Sequence, residues 1–393
     1  MRDNSPWQWL DGGVAALDEA VGCFAFSPSD RYLAWADRAA STRVHVTALG
    51  SLRTVCSIDA PGAFSLAWQG EEALRGVRLD GGALVFADHA VPDGGEVHRL
   101  ALPARGAVAV EHAVDGRAAL VTPSRIAYGR HNALRWVGAR GADDVLDAGF
   151  LDLWGEPRRR LGYPGMCASL SPDGSLLALG AGDGAAASGE VRFVTRDGER
   201  VGRVETTGAP AGLAWASGAR LIATLREPER TALVAVDRAG GRARLMELAR
   251  GFVVASMEAS PERERVLVVG SVEIAGGIRV AAAAVVRLDG GDVASVSLSG
   301  RVAPRAGGPL GAACWGPGGE VVTLTHDAAR VATLSRHAST DAEPTPFATF
   351  VVEGGGVRDD ALTASRTRRW VATTWWSHDA DDVTGRRLVL ART

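Results

Sequence analysis

The residues that could perform acid–base, nucleophilic or metal chemistry are few in this sequence, and they lie far apart. No lysine occurs in the 393 residues, so all 43 residues of the Lys and Arg class are arginine. A P-loop needs a lysine on the nucleotide phosphates, and Schiff-base catalysis needs a lysine amine. Both chemistries are therefore excluded. The histidines show no metal-ligand spacing; they are His45, His89, His98, His112, His131, His326, His337 and His378.

An acidic segment near the C-terminus comes nearest to a metal site. It places His378, Asp379, Asp381 and Asp382 in one predicted loop. A calcium-binding loop alternates its oxygen ligands in the order D-x-D-x-D-G and ends on a glutamate at its twelfth position. This segment has neither feature, so we predict a solvated hairpin tip. No catalytic, cofactor-binding or metal-ligating residue is predicted anywhere in the sequence.

Composition and charge exclude further classes of protein. A net charge of −3 and a pI near 6.3 argue against a basic nucleic-acid binder. The hydrophobic content of 46% is that of a globular chain, and no uninterrupted apolar run reaches the roughly 18 residues of a membrane span. The four cysteines have no CxxC or metal-ligand spacing, which predicts reduced thiols. We expect a soluble cytoplasmic protein.

A repeat organises the whole chain. Its consensus is an apolar residue, alanine and an aromatic residue, followed by a Ser-Pro-Asp-Gly turn; the clearest copy covers residues 168–178 and another covers residues 24–34. We take the residue before the turn as the anchor of each unit. The anchors lie 42 to 58 residues apart, the length of a four-stranded propeller blade. They are Phe26, Trp68, His112, Leu170, Trp215, Ala259, Trp315 and Ala364.

Each unit predicts four short strands separated by turns. Proline presets φ in the Ser-Pro-Asp-Gly turn, and glycine supplies the position with positive φ. The best competing helix pattern, at residues 14–20, is short. We therefore predict an all-β protein: one domain over residues 1–393, a closed β-propeller of four-stranded antiparallel blades. Eight blades are counted, with seven as the alternative. The last unit lacks a fourth strand, which the N-terminal segment around residues 7–10 would supply, closing the ring and removing an exposed edge.

Two segments of the fourth unit resemble a known family. Residues 170–180 and 189–193 resemble the core of a WD40-type repeat, and the Ser-Pro-Asp-Gly turn is similar to that of TolB-like propellers. The sequence departs from WD40 repeats where a Trp-Asp pair is expected, since Val194 and Thr195 stand there instead. The resemblance implies a β-propeller fold. Bacterial cytoplasmic propellers of this kind are often partners of ATPases, kinases or defence machinery, so it also implies protein partners.

The tryptophans fall into two groups, one expected in the core and one a candidate for partner binding. Trp68, Trp215 and Trp315 share the anchor position, where we expect the ring to pack between adjacent blades. Trp375 and Trp376 differ, because consecutive residues of a strand face opposite sides. They lead into the polar loop that contains His378, so these three residues are candidates for a partner-binding surface. The alternative is that each ring packs against a different neighbouring blade.

Two segments exceed the usual length of their repeat. They are predicted as extra-long loops around residues 123–147 and 336–346. Loops that extend beyond a repeat scaffold commonly carry binding residues. The first contains Tyr128, Arg130, Arg135 and Trp136, whose residue types dominate interface energies. We interpret these four residues as possible partner contacts, with an untethered variable loop as the alternative.

The sequence thus favours a non-enzymatic scaffold. We expect it to bind other proteins of a bacterial cytoplasmic multiprotein system through rim loops and the propeller face. No membrane or cofactor is expected, nucleic acid is an unfavoured partner, and a small-molecule ligand is not excluded. The alternative is an enzyme or small-ligand binder that uses polar residues at the central channel. Three or more His and Asp side chains meeting in the channel would favour the alternative, whereas a lining of Ala, Gly and Val would favour the scaffold.

Overall fold

The computed structural model describes most of the chain as short β-strands. The described residues are 6–10, 13–37, 43–103, 108–123, 133–137, 145–149, 167–183, 188–217, 219–227, 230–248, 252–274, 278–288, 294–296, 312–326, 331–338, 343–351, 362–379 and 382–393. Within these ranges the only helical element is a single 3₁₀ turn at Pro317–Gly319. The described part of the chain contains no helix long and apolar enough to cross a bilayer.

The strands form antiparallel sheets in which neighbours in space are neighbours in sequence. Strand β1 (Trp7–Leu10) precedes sheet 1, which contains β2 (Val14–Phe26), β3 (Tyr32–Asp37), β4 (Arg43–Ala48) and β5 (Arg53–Asp59). Sheet 2 contains β6 (Ala63–Trp68), β7 (Ala73–Asp80), β8 (Ala83–Ala90) and β9 (Glu96–Pro103). Sheet 3 contains β10 (Val108–His112), β11 (Ala119–Pro123), β12 (Ala133–Val137) and β13 (Val145–Gly149). Sheet 4 contains β14 (Cys167–Leu170), β15 (Leu176–Asp183), β16 (Ser188–Thr195) and β17 (Arg200–Thr206).

The second half of the chain continues the same order. Sheet 5 contains β18 (Ala209–Trp215), β19 (Arg220–Arg226), β20 (Thr231–Asp237) and β21 (Arg242–Leu248). Sheet 6 contains β22 (Val253–Ala259), β23 (Arg265–Ile274), β24 (Ile278–Arg287) and β25 (Ala294–Val296). Sheet 7 contains β26 (Ala312–Trp315), β27 (Val321–His326), β28 (Val331–His337) and β29 (Thr345–Val351). Sheet 8 contains β30 (Thr363–Ala364), β31 (Trp370–Asp379) and β32 (Asp382–Arg392), together with the first part of β2.

The predicted anchors mark the same position in every sheet. Each anchor is the last residue of a first strand: β2 ends at Phe26, β14 at Leu170 and β30 at Ala364, and the other five strands end likewise. The repeat spacing read from the sequence is therefore confirmed as the spacing of the sheets. The all-β, four-stranded antiparallel organisation is confirmed with it.

Buried serines explain why the turn after the anchor recurs. The Oγ atom of Ser171 accepts a hydrogen bond from the backbone N–H of Leu176, at 2.9 Å, which opens the next strand. Three equivalent serines make the equivalent bond. The turn also requires a left-handed residue, which is Gly174 in sheet 4, at φ +68°. Asp30, Arg263 and Arg368 hold this position in sheets 1, 6 and 8, at φ of 60° to 62°.

Strand β2 joins the two ends of the chain. Its first part pairs with β32, with Val14 opposite Ala391, and its last part pairs with β3, with Phe26 opposite Leu33. Sheets 8 and 1 are thus continuous through β2. The N-terminal strand next to β32 is the first part of β2 and not Trp7–Leu10, which pairs with the other edge of β2. Residues 14–20 are extended, because alternate side chains are buried against different neighbouring sheets.

The core lies between successive sheets. The anchor tryptophans confirm their predicted role there, since Trp68, Trp215 and Trp315 are buried. Each indole N–H donates to a backbone carbonyl of the preceding sheet, one residue before its anchor: Ala25 at 3.0 Å, Ser169 at 3.1 Å and Glu258 at 2.9 Å. The ring therefore both fills the space between two sheets and fixes their register.

The two segments predicted as extra-long loops contain parts of strands. Strand β12 lies within residues 123–147, and β13 begins there at Val145 and ends at Gly149. The remainder of that segment, residues 124–132 and 138–144, lies outside the described residues. Strand β28 ends at His337 and β29 begins at Thr345, so the connection in the second segment covers residues 338–344.

Candidate functional site

One face of the molecule carries the recurring turns. In an antiparallel four-stranded sheet, one side carries the end of the first strand, the start of the second, the end of the third and the start of the fourth. We call this side the turn face; it includes residues 27–31, 113–118, 260–264 and 365–369. It follows that the side chains following the anchors of different sheets are presented together on this face.

A pocket of about 270 Å³ opens on the turn face where four sheets meet. Sheet 1 contributes Ala25, Phe26 and Pro28, and sheet 2 contributes Ala67 and Trp68. Sheet 3 contributes Ala113, Val114 and Gly116, and sheet 8 contributes Thr363, Ala364 and Arg366. We call this site the central pocket. Its lining is apolar apart from one hydroxyl and one guanidinium group.

Close packing of turns against first strands shapes the central pocket. Gly116 has a φ of +69°, and a Cβ atom at that position would lie 2.3 Å from the carbonyl oxygen of Trp68. Only glycine permits this approach, which brings the turn of sheet 3 against the first strand of sheet 2. Val114 is held by its backbone N–H, which donates to the carbonyl oxygen of Pro172 at 3.0 Å. The Val114 side chain remains 56% exposed at the pocket.

The described lining of the central pocket has no group suited to acid–base catalysis, because it contains no histidine, aspartate, glutamate or cysteine. Arg366 is exposed and carries a cationic guanidinium group. The described part of the pocket can therefore accept an apolar side chain beside an anionic group.

Three of the described histidines have structural contacts, and each lies on a different sheet. The Nε2 atom of His112, the anchor of sheet 3, lies 2.9 Å from Ser65 Oγ. Burial, reinforced by the charge of Arg75, lowers the pKa of His112 to about 4, so the ring is neutral at pH 7. The Nε2 atom of His337 lies 3.0 Å from Thr323 Oγ1, and burial lowers the pKa of this ring too. His45 stacks on Trp35, with 4.5 Å between ring centroids.

Among the described residues there is no site for metal binding or for thiol chemistry. Nowhere in that part of the chain do three His, Cys, Asp or Glu side chains gather as metal ligands. All four cysteines are free thiols. Cys314 is fully buried, and burial raises the pKa of its thiol far above the usual range. A buried neutral thiol of this kind is unreactive.

The structure separates the residues predicted to bind partners. Trp375, Trp376 and His378 lie on β31, where the backbone of Trp375 pairs with Arg387 of β32. This second strand runs away from the turn face, so its last residues reach the opposite face. Arg135 and Trp136 lie on β12 of sheet 3, paired with β11 and β13. Tyr128 and Arg130 lie outside the described residues. The two groups thus belong to different sheets.

Sequence reasoning missed the residues of the central pocket. Val114, Gly116 and Arg366 stand in turns that were interpreted only as connections. Aligning the units on their anchors would have shown the signal, since Ala25 and Ala67 both immediately precede an anchor and Ala113 immediately follows one. Small residues next to first-strand ends in three successive units indicate a depression on the turn face.

Comparisons with known proteins give the fold. No family model matches this sequence, and no curated protein matches it. A eukaryotic initiation factor structure is similar at a TM-score of 0.54 and 12% identity, covering 98% of this chain and 87% of that one. The β-propeller domain of Cps50 (Swd1) from Myceliophteria thermophila is similar at a TM-score of 0.51 and 11% identity, covering 97% and 99%. Hydrazine synthase of Kuenenia stuttgartiensis is similar at 0.52 and 11%, covering 98% and 99%.

The chain has a β-propeller fold. Its resemblance to WD40-like propellers, read from residues 170–180, agrees with these structural neighbours. At 11 to 12% identity the likeness extends to the fold alone. One of the three neighbours is an enzyme by name, so the fold does not decide between a scaffold and an enzyme. That decision depends on the chemistry of the central pocket.

Proposed function

We propose that this chain is a non-enzymatic protein-interaction scaffold that binds a partner protein on its turn face. The observation that carries the proposal is the lining of the central pocket, in which small and aromatic apolar residues from four sheets surround Arg366. The condition favouring a scaffold was a lining of small apolar residues. The alternative, an enzyme or small-ligand binder, requires His and Asp side chains to converge, and the described lining of this pocket contains none.

The proposed scaffold is a closed ring of eight blades. Three contacts between sheets 8 and 1 support closure. Asp30, in the turn of sheet 1, accepts hydrogen bonds from the hydroxyls of Ser365 at 2.5 Å and of Thr367, both in the turn of sheet 8. Trp7 lies beside sheet 8 and donates its indole N–H to Thr47 of sheet 1, at 3.3 Å. Strand β2 is shared by both sheets.

A closed ring suits a docking role for physical reasons. Buried apolar clusters hold sheet 1 against both of its neighbours, sheets 8 and 2, so this part of the turn face is rigid. A rigid surface loses little conformational entropy when a partner binds. Arginine is among the residue types that contribute most at the centre of an interface, and Val114 adds exposed apolar surface to the same pocket as Arg366. The pocket is therefore suited to an apolar side chain of a partner that carries a neighbouring carboxylate.

The proposed setting is a bacterial cytoplasmic multiprotein system. Four free thiols in a chain of this size fit a reducing compartment. The preference for arginine over lysine fits the coding bias of a GC-rich genome. Neither feature names the partner.

A matched pair of substitutions tests the proposal. Val114→Glu places a charge in the central pocket, whereas Val351→Glu makes the same change at the end of β29, on the opposite face and the outer edge of sheet 7. The two side chains are 56% and 58% exposed, so both variants should fold alike. Tagged wild type and both variants would be purified from the native organism, and co-purifying proteins quantified by mass spectrometry.

The scaffold proposal requires that a partner be lost with Val114→Glu and kept with Val351→Glu. We expect at least one partner to be recovered about tenfold less with Val114→Glu, because a desolvated charge at an interface centre is costly, and to be unchanged with Val351→Glu. Equal recovery with all three proteins would place the docking surface elsewhere. Absence of any partner, together with turnover of a substrate by the purified chain, would replace the scaffold with the enzyme alternative.

A further inference from the structure

A second depression on the turn face is lined by arginines. It encloses about 450 Å³ between sheets 5 and 6. We call it the arginine cleft. Its lining is Arg220, Arg263, Glu264, Arg265, Arg287 and Leu288. Arg220 opens the second strand of sheet 5, whereas the others come from the turn and the third strand of sheet 6.

Two of these arginines are held in place mainly by neutral partners. Arg220 donates from NH1 to the carbonyl oxygen of Leu288, at 3.2 Å, across the boundary between the sheets. Arg265 donates from NH2 to the carbonyl oxygen of Gly319, at 3.1 Å, and its guanidinium lies 4.9 Å from the centroid of the Trp315 ring. Neither a carbonyl nor a ring cancels a positive charge. Both guanidinium groups are therefore oriented and still cationic.

Positive charge exceeds negative charge in the cleft. Arg263 is exposed, and among the described residues its side chain has no hydrogen-bond or ion-pair partner. Arg265 stands directly opposite Arg287 across β23 and β24, an arrangement of like charges that costs free energy. Glu264 is the one carboxylate in the lining, and Glu262 lies 3.8 Å from Arg265. Among the described residues, the guanidinium groups of Arg220, Arg263 and Arg265 outnumber the carboxylates of Glu262 and Glu264. Arg287, which has an interaction partner of its own, is not counted.

We propose that the arginine cleft binds an acidic, Asp/Glu-rich segment of a partner protein. Guanidinium groups pair with carboxylates through two parallel hydrogen bonds, and they remain charged at every physiological pH. Several carboxylates along one extended segment would match the arginines of two adjacent sheets. The occupant is a peptide and not a nucleic acid, because the described lining of the cleft contains no aromatic side chain on which a base would stack.

This inference adds a second site to the proposed docking face. Its biological role depends on the proposed scaffold function, but the binding of an acidic segment does not. The two sites differ in chemistry, since the central pocket is apolar and involves sheets 1, 2, 3 and 8. A partner that spans both would present an apolar group to one and an acidic segment to the other.

Binding of a defined probe tests the inference. The probe is a short fluorescein-labelled peptide of alternating aspartate and glycine, measured by fluorescence anisotropy at low and at high salt. Arg263→Glu reverses a charge in the cleft without removing a described contact and leaves the turn with a non-glycine residue, as in the wild type. Arg43→Glu is the matched control, because Arg43 is exposed and opens the third strand of sheet 1, on the face opposite the turns.

We expect Arg263→Glu to weaken peptide binding at least about tenfold at low salt, while Arg43→Glu and Val114→Glu leave it within about twofold. High salt should weaken binding to the wild type, because exposed charges are screened. An equal loss of peptide binding with Arg43→Glu would show that the effect depends only on net charge, and it would overturn the proposal. Failure of the wild type to bind the peptide would overturn it too. Tighter binding of a single-stranded oligothymidylate of equal charge would identify a nucleic-acid site instead. Loss of partner recovery with Val114→Glu, with peptide binding intact, separates the two sites.

Discussion

Arg75 and Arg263 carry the same guanidinium group into opposite settings. Arg75, on β7 of sheet 2, is 2% exposed. Its Nε and NH2 atoms donate to the two carboxylate oxygens of Asp88, at 2.7 and 2.9 Å, and NH1 donates to the carbonyl oxygen of Arg117 in sheet 3, at 2.9 Å. Arg263 lies in an exposed turn beside other arginines, without a described side-chain partner.

The difference distinguishes a charged residue that stabilises the fold from one that is suited to bind a ligand. A buried ion stabilises a fold only when every polar atom has a partner, and the bidentate pair of Arg75 and Asp88 meets that condition. An exposed cation without a partner contributes little to folding. Its placement beside like charges is instead suited to an anion that arrives from outside. We therefore expect substitution of Arg75 to have a large effect on stability and substitution of Arg263 to affect binding alone.

The largest effect is expected for Arg75→Met. The substitution leaves Asp88 buried without its main partner, and we expect the free energy of unfolding to fall by about 3 to 5 kcal/mol. Urea denaturation followed by tryptophan fluorescence measures the change. The double variant Arg75→Met with Asp88→Leu should recover most of the loss, because no unpaired charge remains. A single variant within about 1 kcal/mol of wild type would show that the pair is not structural.

The next effect is a loss of stability in acid. His112 takes up its proton at its usual pKa of 6.5 when unfolded, but only near 4 when folded, because of burial and then the charge of Arg75. Between these values the unfolded chain holds more protons, so the free energy of unfolding falls as the pH falls from about 6.5 to 4, by about 3 kcal/mol in total. Burial lowers the pKa values of His89 and His337 in the same direction.

Denaturation at a series of pH values from neutral to acid measures this dependence. The variant His112→Leu should have a shallower dependence than the wild type, whatever its stability at pH 7. An unchanged slope would show that the pKa of His112 is the same in the folded and unfolded chain, which contradicts its burial.

The repeat made much of this fold predictable. Anchors such as Trp215 and Trp315 carry a large ring at a fixed place beside a turn of defined geometry, so local sequence determines both the strand end and the packing between sheets. The strand next to β32 was less predictable. Residues 14–20 contain mostly small apolar residues, which suit a short helix as well as a strand, and only the sheets on either side decide the matter.

The two proposed binding sites could not be predicted from the sequence. A binding role for Trp375 and Trp376, which lie on a paired strand, stays a prediction. The central pocket and the arginine cleft are each assembled from residues of different sheets, some of them more than 40 residues apart in the chain, such as Arg220 and Arg263. Spacing along the sequence does not reveal such an assembly, because it depends on which sheets are neighbours.

A moderate effect is expected for Arg220→Met. Arg220 combines both roles, since it lines the arginine cleft and also donates to Leu288 across the boundary of sheets 5 and 6. Loss of that hydrogen bond should lower the free energy of unfolding by about 1 kcal/mol, and the acidic peptide should bind less tightly. Thermal unfolding and anisotropy measure the two changes. Arg220→Lys, which keeps the charge, should retain more of the binding than Arg220→Met; equal binding by both would contradict a role for the charge.

The smallest effect on stability is expected for Arg263→Met. Its guanidinium group has no described partner, so the free energy of unfolding should change by less than about 0.5 kcal/mol, while binding of the acidic peptide weakens. Arg263→Gly extends the comparison, because Arg263 has a φ of +60°, a conformation that costs a non-glycine residue about 1 kcal/mol. That variant should be at least as stable as the wild type and still lose binding. A loss of about 2 kcal/mol in Arg263→Met would instead reveal a structural partner for the guanidinium group, and the contrast with Arg75 would fail.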